Sequence, residues 1–283
     1  IGDAENRIKE DYLRILRYFR FQGRLNKPQW EENVTDAIKK NAGGLKKISA
    51  ERIWQEMSKI LGGGNVKDIL TYMDKTGIAK TIGLPVKDAG KIIDNDDPII
   101  NLARLVDNDN LAKEWKLSKE DHTTLLTLVK NKDKKLTQKA AEDLIVDGKN
   151  KTILSKLAEL QGNKELANYI KTFDAPVFPI TGNDLISMGY KPGPELGKTL
   201  NRVKSAWKQS NFTANKDDLL QNLKENFADG KKKGKSRPGR VKRSGASCKG
   251  SVTSLRAKAK KASGERAKMY HWCANMKSGR KKS

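Results

Sequence analysis

Apolar residues recur along most of this chain three and four positions apart, and strict alternation is scarce. The pattern therefore predicts helices and almost no strands. In residues 4–22, Ile8, Tyr12, Ile15, Leu16 and Phe19 fall on one face of a single helix, at about 100° per residue. Arg7, Glu10, Asp11, Arg14, Arg17 and Tyr18 fall on the other, and Asp3 stands where an N-cap belongs. Residues 28–41 carry Trp30, Val34 and Ile38 at i, i+4 and i+8 and stop at Gly43-Gly44. Ser49 caps a helix over 50–61, with Ile53, Trp54, Met57, Ile60 and Leu61 inward and three glycines, 62–64, ending it. Residues 65–75 add Val66, Ile69, Leu70 and Met73. Leu84-Pro85 and Asp97-Pro98 punctuate a loop-rich link. Short amphipathic segments are expected after it at about 98–106, 118–130, 137–146, 151–161 and 163–172.

Thr181 to Leu185 reads as a turn into a short helix that Gly189 ends. Pro194 at the first helical position and Glu195 in the first turn then open a longer one, suited to the dipole. Leu196, Leu200, Val203 and Trp207 form its apolar face, with Lys198, Arg202, Lys204 and Lys208 outside. Gly193 and Gly197 leave its start bare, either for a phosphate or for close helix packing. Past Asp229 the periodicity disappears, and GKKKGKSRPGRVKRSGASCKG (230–250) reads as a flexible basic arm. Two short helices over 251–262 and 263–276 follow, with Val252, Leu255, Met269, Tyr270, Trp272 and Met276 as core candidates.

Charge changes the picture most. Between 231 and 283, nineteen basic residues face the single Glu265, so this stretch holds +18 of a net +24. Its electrostatic partner is polyanionic, and nucleic acid is the economical choice. No bulky apolar face accompanies the charge, and no run of about 18 apolar residues exists, so a membrane partner is not expected. Two cysteines, Cys248 and Cys273, do not make a disulfide framework, and a reducing, cytoplasmic setting is expected. With His271 they lack a fourth zinc ligand and match no common finger spacing. The 94–97 run (Asp-Asn-Asp-Asp) reads as a solvated turn rather than a metal site, and His122 alone reads as a helix residue rather than a catalyst. Residues 1–230 contain no Ser/His/Asp arrangement and no Walker-type loop.

Three blocks resemble one family. EDYLR (10–14) followed by LRYFRF (16–21) is similar to the EDxxR and LRxxRF pattern in the neck helix of the tRNA nucleotidyltransferase (CCA-adding enzyme)/poly(A) polymerase family. ISAERIWQEMSKIL (48–61) is similar to its ISxERI element, and residues 176–207 to its C-terminal block. Residues 85–170 carry no such likeness. By pattern alone, Asp11 and Arg14 are also what a surface ion pair on a core-packed helix looks like. The resemblance implies more: Asp11 and Arg14 read the pairing edge of CTP and ATP, with Glu10, Arg17, Glu51 and Arg52 supporting the neck.

It implies an all-α fold of neck (1–83), body (84–175) and tail (176–229), while the flexible basic extension over 230–283 is not part of the family pattern. It also implies tRNA as partner, gripped by Lys191, Lys198 and Arg202; from its own charge and interleaved aromatics, the extension is expected to add backbone and stacking contacts through Arg237, Arg240, Lys242, Arg243, Tyr270 and Trp272. The family's Mg2+ ions sit on carboxylates of a head domain that precedes the neck. No Gly-Ser followed by a paired-aspartate strand is found here, so this chain alone is expected to be inactive. A non-catalytic RNA-binding relative is the alternative from another class, and a poly(A) polymerase the alternative within it.

Overall fold

The computed structural model describes residues 3–86, 90, 92, 96–229, 241 and 244–279, and every regular element among them is helical. Contacts divide the chain into two compact units, Ile1–Pro176 and Val177–Ser283.

The first unit begins with α1 (Ala4–Glu10) and α2 (Arg14–Gln22), followed by α3 (Glu32–Asn41) and a 3-10 turn, Ala42–Lys47. Then come α4 (Ala50–Leu61), α5 (Val66–Lys75) and the single turn α6 (Ile78–Thr81). After the link come α7 (Pro98–Leu105), α8 (Asn110–Glu114), α9 (Lys119–Asn131), α10 (Gln138–Val146), α11 (Lys151–Leu160) and α12 (Lys164–Thr172). Side-chain caps set several starts. Asp3 accepts from Glu5 N–H, Asp97 from Ile99 and Ile100, Ser118 from Asp121, and Asn150 from Thr152 and Ile153. One continuous core runs through the unit, from Ile8, Ile15, Leu16 and Phe19 through Met57, Leu70 and Ile100 to Leu128 and Ile170.

Three expectations change here. The helix over 4–22 is two helices, because Asp11 adopts an extended conformation (φ −153°, ψ 106°). An aspartate offers the backbone a competing acceptor, and the next residue, Tyr12, is anchored elsewhere: a Cβ on Gly44 would lie 1.9 Å from its ring. Gly44 is thus a seat for Tyr12. The third helix starts at Glu32, leaving Trp30 outside it, stacked on Tyr72 at 3.8 Å and 4°. Residues 110–114 form a helix that the pattern does not predict, ending at Trp115, whose buried indole N–H donates to the Ile82 carbonyl at 3.0 Å.

The second unit holds α13 (Gly182–Ser187), α14 (Pro194–Gln209) and α15 (Lys216–Asp229), then α16 (Val252–Lys261) and α17 (Gly264–Gly279). Thr181 and Asp184 cap α13 reciprocally. Trp207 is buried on α14 between Phe178 and Phe212, at ring distances of 5.2 and 5.1 Å. Much of the basic arm lies outside the described residues. The part beyond it is folded: α16 and α17 form a hairpin around Leu255, Ala259, Met269, Tyr270, Cys273 and Ala274. Cys248 and Cys273 are disulfide-bonded, which corrects the expectation of two separate thiols.

Candidate functional site

The break between α1 and α2 organises the first site. Asp11 ends one helix and holds the start of the next: its Oδ1 accepts the Leu13 N–H at 3.1 Å and its carbonyl accepts the Arg14 N–H at 3.0 Å. Its other oxygen, Oδ2, accepts from Arg52 Nη2 at 2.9 Å, which ties the break to the first turn of α4. Partial burial works to raise the Asp11 pKa, but the Leu13 N–H, the Arg52 guanidinium and the nearby charge of Arg14 outweigh it. The carboxyl is held below its usual range. Arg14, the first residue of α2, donates from Nη1 to the Arg7 carbonyl at 2.9 Å and to Glu10 Oε2. Glu10 also pairs with Arg7, and its carboxyl is lowered chiefly by Arg14 and then by Arg7. The side chains of Asp11 and Arg14 are 31% and 38% exposed, so a small molecule can reach both. The other family positions diverge. Arg17 is exposed, and Glu51 turns away to Lys116 at 3.0 Å.

A buried pair absent from the expected set fixes α2 to α4: Arg20 Nη1 meets both oxygens of Glu56, at 2.9 and 3.1 Å, with Lys59 at 3.3 Å. The signal was present in the sequence, since Glu56 interrupts the inward series Ile53, Met57 and Ile60 of α4. Asn65 closes the far end by donating to the Gly23 and Leu25 carbonyls. There the backbones of Gly23 and Gly64 approach so closely that a Cβ on either would meet the other's oxygen within 2.9 Å. Beside this contact lies a cleft of ≈ 340 Å³, walled by Arg20, Arg24, Lys59 and the three glycines 62–64.

In the second unit, Lys191, Lys198 and Arg202 are all exposed, with Lys198 3.0 Å from Glu195. Gly193 takes φ +146°, which explains that glycine. Nothing lies within 4 Å of a Cβ at Gly197, so close packing explains neither. Asp184 is held at about 2, first by Lys216 and then by the Thr181 N–H and hydroxyl. Tyr270, expected to stack on bases, is only 7% exposed and belongs to the hairpin core, and Trp272 packs half-buried against that core. Arg237, Arg240, Lys242 and Arg243 lie outside the described residues.

Among the described residues no three His, Cys, Asp or Glu side chains gather where a metal ion could sit. Asp97 caps α7 and pairs with Lys156. His122 pairs with Asp109 at 2.7 Å, and Asp109 is lowered to about 2 by His122 and then Lys113. No described helix is long and apolar enough to cross a membrane.

Residues 29–85, which run from the loop before α3 through α6, match a family model described as the probable RNA and SrmB-binding site of polymerase A. The chain is 36% identical over 250 residues to the mitochondrial CCA tRNA nucleotidyltransferase 1 of Danio rerio, covering 80% of this chain and 58% of the relative. It is 35% identical to the human protein of the same name over the same shares. It is 30% identical to the CCA-adding enzyme of Streptococcus uberis, over 73% of this chain and 57% of that one. In fold it is similar to the crystal structure of the Bacillus stearothermophilus CCA-adding enzyme in complex with CTP. That match has a TM-score of 0.61 at 19% identity, over 81% of this chain and 66% of the other. The chain thus spans a little over half the length of the curated relatives it matches.

Proposed function

We propose that this chain, which belongs to the CCA-adding tRNA nucleotidyltransferase/poly(A) polymerase family, supplies the base-selecting and RNA-holding part of a tRNA nucleotidyltransferase. Asp11 and Arg14 are the selecting pair. Cytosine and adenine both present an exocyclic amino group beside an unprotonated ring nitrogen. A carboxylate only accepts and a guanidinium only donates, so one fixed pair suits both bases. Guanine and uracil present the opposite order and set a carbonyl against the carboxylate, leaving polar groups unmatched. The observation that carries this reading is the Asp11–Arg52 bond at the helix break, because it fixes the acceptor beside Arg14 while both remain reachable. With Leu13 and Arg52 both donating to it, Asp11 stays a carboxylate through the neutral range.

The transfer itself is two-metal chemistry, which a bound Mg2+ pair supplies when present. Asp11 and Arg14 are assigned base choice rather than the transfer step. The exposed Lys191, Lys198 and Arg202 suit tRNA phosphates. The match to a polymerase A element favours a second reading, poly(A) addition, in which the same pair serves ATP alone.

Single-turnover addition of each of the four nucleotides by the complete protein tests the proposal. Asp11→Ala or Arg14→Ala should cost CTP and ATP about 1.5–3 kcal/mol each, one to two decades in efficiency, with tRNA affinity nearly unchanged. A CTP:ATP:GTP:UTP preference identical to the unsubstituted protein would remove both residues from base selection. Loss confined to ATP, in a protein that never uses CTP, would favour the second reading.

A further inference from the structure

We infer that residues 241–279 form a separate, disulfide-clamped module that binds the phosphate backbone of nucleic acid without reading its bases. The inference stands apart from the nucleotide site. The module's buried core, Ala246, Leu255, Ala259, Met269, Tyr270, Cys273 and Ala274, comes entirely from this stretch, and so do the half-buried residues packed on it. At 39 residues it is below the size at which a hydrophobic core alone usually holds a fold, so a cross-link is the expected device. Cys248–Cys273 supplies one, tying the loop before α16 to the middle of α17. Lys277 adds a second tie from the end of α17, donating to the Gly250 carbonyl at 2.6 Å.

The outer surface is cationic. The stretch contains ten basic residues and one acid, Glu265, so at most a small part of its charge is neutralised internally. Arg256, Lys258, Lys260 and Lys261 on α16 and Arg266 and Lys268 on α17 are all exposed. Rigid helices presenting cations in this way fit a regular row of phosphates. Neither large aromatic of the stretch is fully presented for base stacking: Tyr270 is in the core and Trp272 packs half-buried against it, leaving His271 as the exposed ring. A bilayer is the poorer fit, because the exposed large apolar side chains (Phe21, Leu25, Val177 and Ile186) all lie elsewhere.

The test uses the full chain and a labelled RNA, single-stranded or duplex, with a DNA duplex of equal length as a further arm. Replacing Arg256, Lys260, Lys261 and Lys268 with Gln should flatten the slope of log affinity against log salt by about three to three and a half, since each lost phosphate contact removes about 0.7–0.9. Affinity should fall alike for single strand and duplex. Helicity should be unchanged, because all four side chains point outward. An unchanged slope overturns the proposal. So does a variant that loses binding to phosphatidylserine vesicles but keeps its RNA affinity, and so does loss confined to single strands. Loss on RNA but not on DNA narrows the ligand to RNA and leaves the proposal standing.

The clamp is tested separately with dithiothreitol, whose two thiols pass two electrons and two protons to the bond. The products are the Cys248 and Cys273 thiols and the cyclic disulfide of the reagent. Reduction, or the double change Cys248→Ser with Cys273→Ser, should weaken RNA binding severalfold in the unsubstituted chain and little in the four-Gln variant. Equal affinity before and after reduction would show that the module does not depend on its clamp.

Discussion

Asp11 does two jobs at once, and each uses a different oxygen. Oδ1 accepts the Leu13 N–H in the turn just before α2, and Oδ2 holds Arg52. Its presence opposite an apolar stripe was legible in the sequence; the break in the helix was not. Periodicity continues across Asp11 undisturbed because Ile8, Tyr12, Ile15 and Leu16 keep facing inward on either side of it. What breaks the helix is a side chain competing for backbone N–H groups and a tyrosine seated on Gly44, a contact 32 residues away in sequence. Arg52 then has a testable effect. The Asp11 pKa is lowered, so whatever needs its carboxylate is present above the folded-state pKa and lost as pH falls through it. Arg52→Ala removes one of the groups that lowers it. The acid limb of the pH profile for CTP addition should therefore move to higher pH, and Arg52→Lys should restore part of the shift. A reduced rate with an unmoved acid limb would make Arg52 structural only.

Among the elements, strongly periodic helices were the legible ones. The segments expected near 118–130, 137–146, 151–161 and 163–172 stand as α9 to α12 with ends shifted by one residue or so, since their caps are local: Ser118, Thr137, Asn150 and Asn163. Short α6 and α8 carry too few residues to show a period, and their existence depends on tertiary burial of Ile78, Ala79, Leu111 and Trp115. The joint between α2 and α4 left only one trace in the pattern, Glu56 interrupting the inward series of α4, because it is made by charge in the core. With exposures of 13% and 8%, Arg20 and Glu56 have few alternatives to each other. Removing one partner strands the other, so Glu56→Ala should destabilise the chain by roughly 3 kcal/mol in urea unfolding. Replacing both with apolar residues of similar size, Arg20→Met with Glu56→Leu, should recover most of that. If Glu56→Ala costs less than about 1 kcal/mol, the Arg20–Glu56 pair is not what holds α2 to α4.

At the scale of the whole molecule, net charge and its location were read directly: +18 of +24 in the last 53 residues needs only counting. The bond between Cys248 and Cys273 was not, since 25 positions separate them and only the α16–α17 hairpin brings them together. The same hairpin hides Tyr270, a core candidate in the sequence that was also expected to stack on bases. The proposed base-reading role comes from the resemblance, because nothing in periodicity separates a base-reading Asp/Arg pair from an ordinary surface pair. That distinction rests on donor and acceptor order, and one substitution reverses part of it. Asp11→Asn keeps an oxygen to accept the Leu13 N–H and offers an NH2 where the second oxygen stood, forfeiting the Arg52 bond as it does so. Single-turnover addition by the complete Asp11→Asn protein, measured with all four nucleotides, should show CTP and ATP falling by one to two decades while UTP or GTP rises relative to them. A uniform fall across all four, with their ratios intact, would contradict base selection by Asp11 and Arg14.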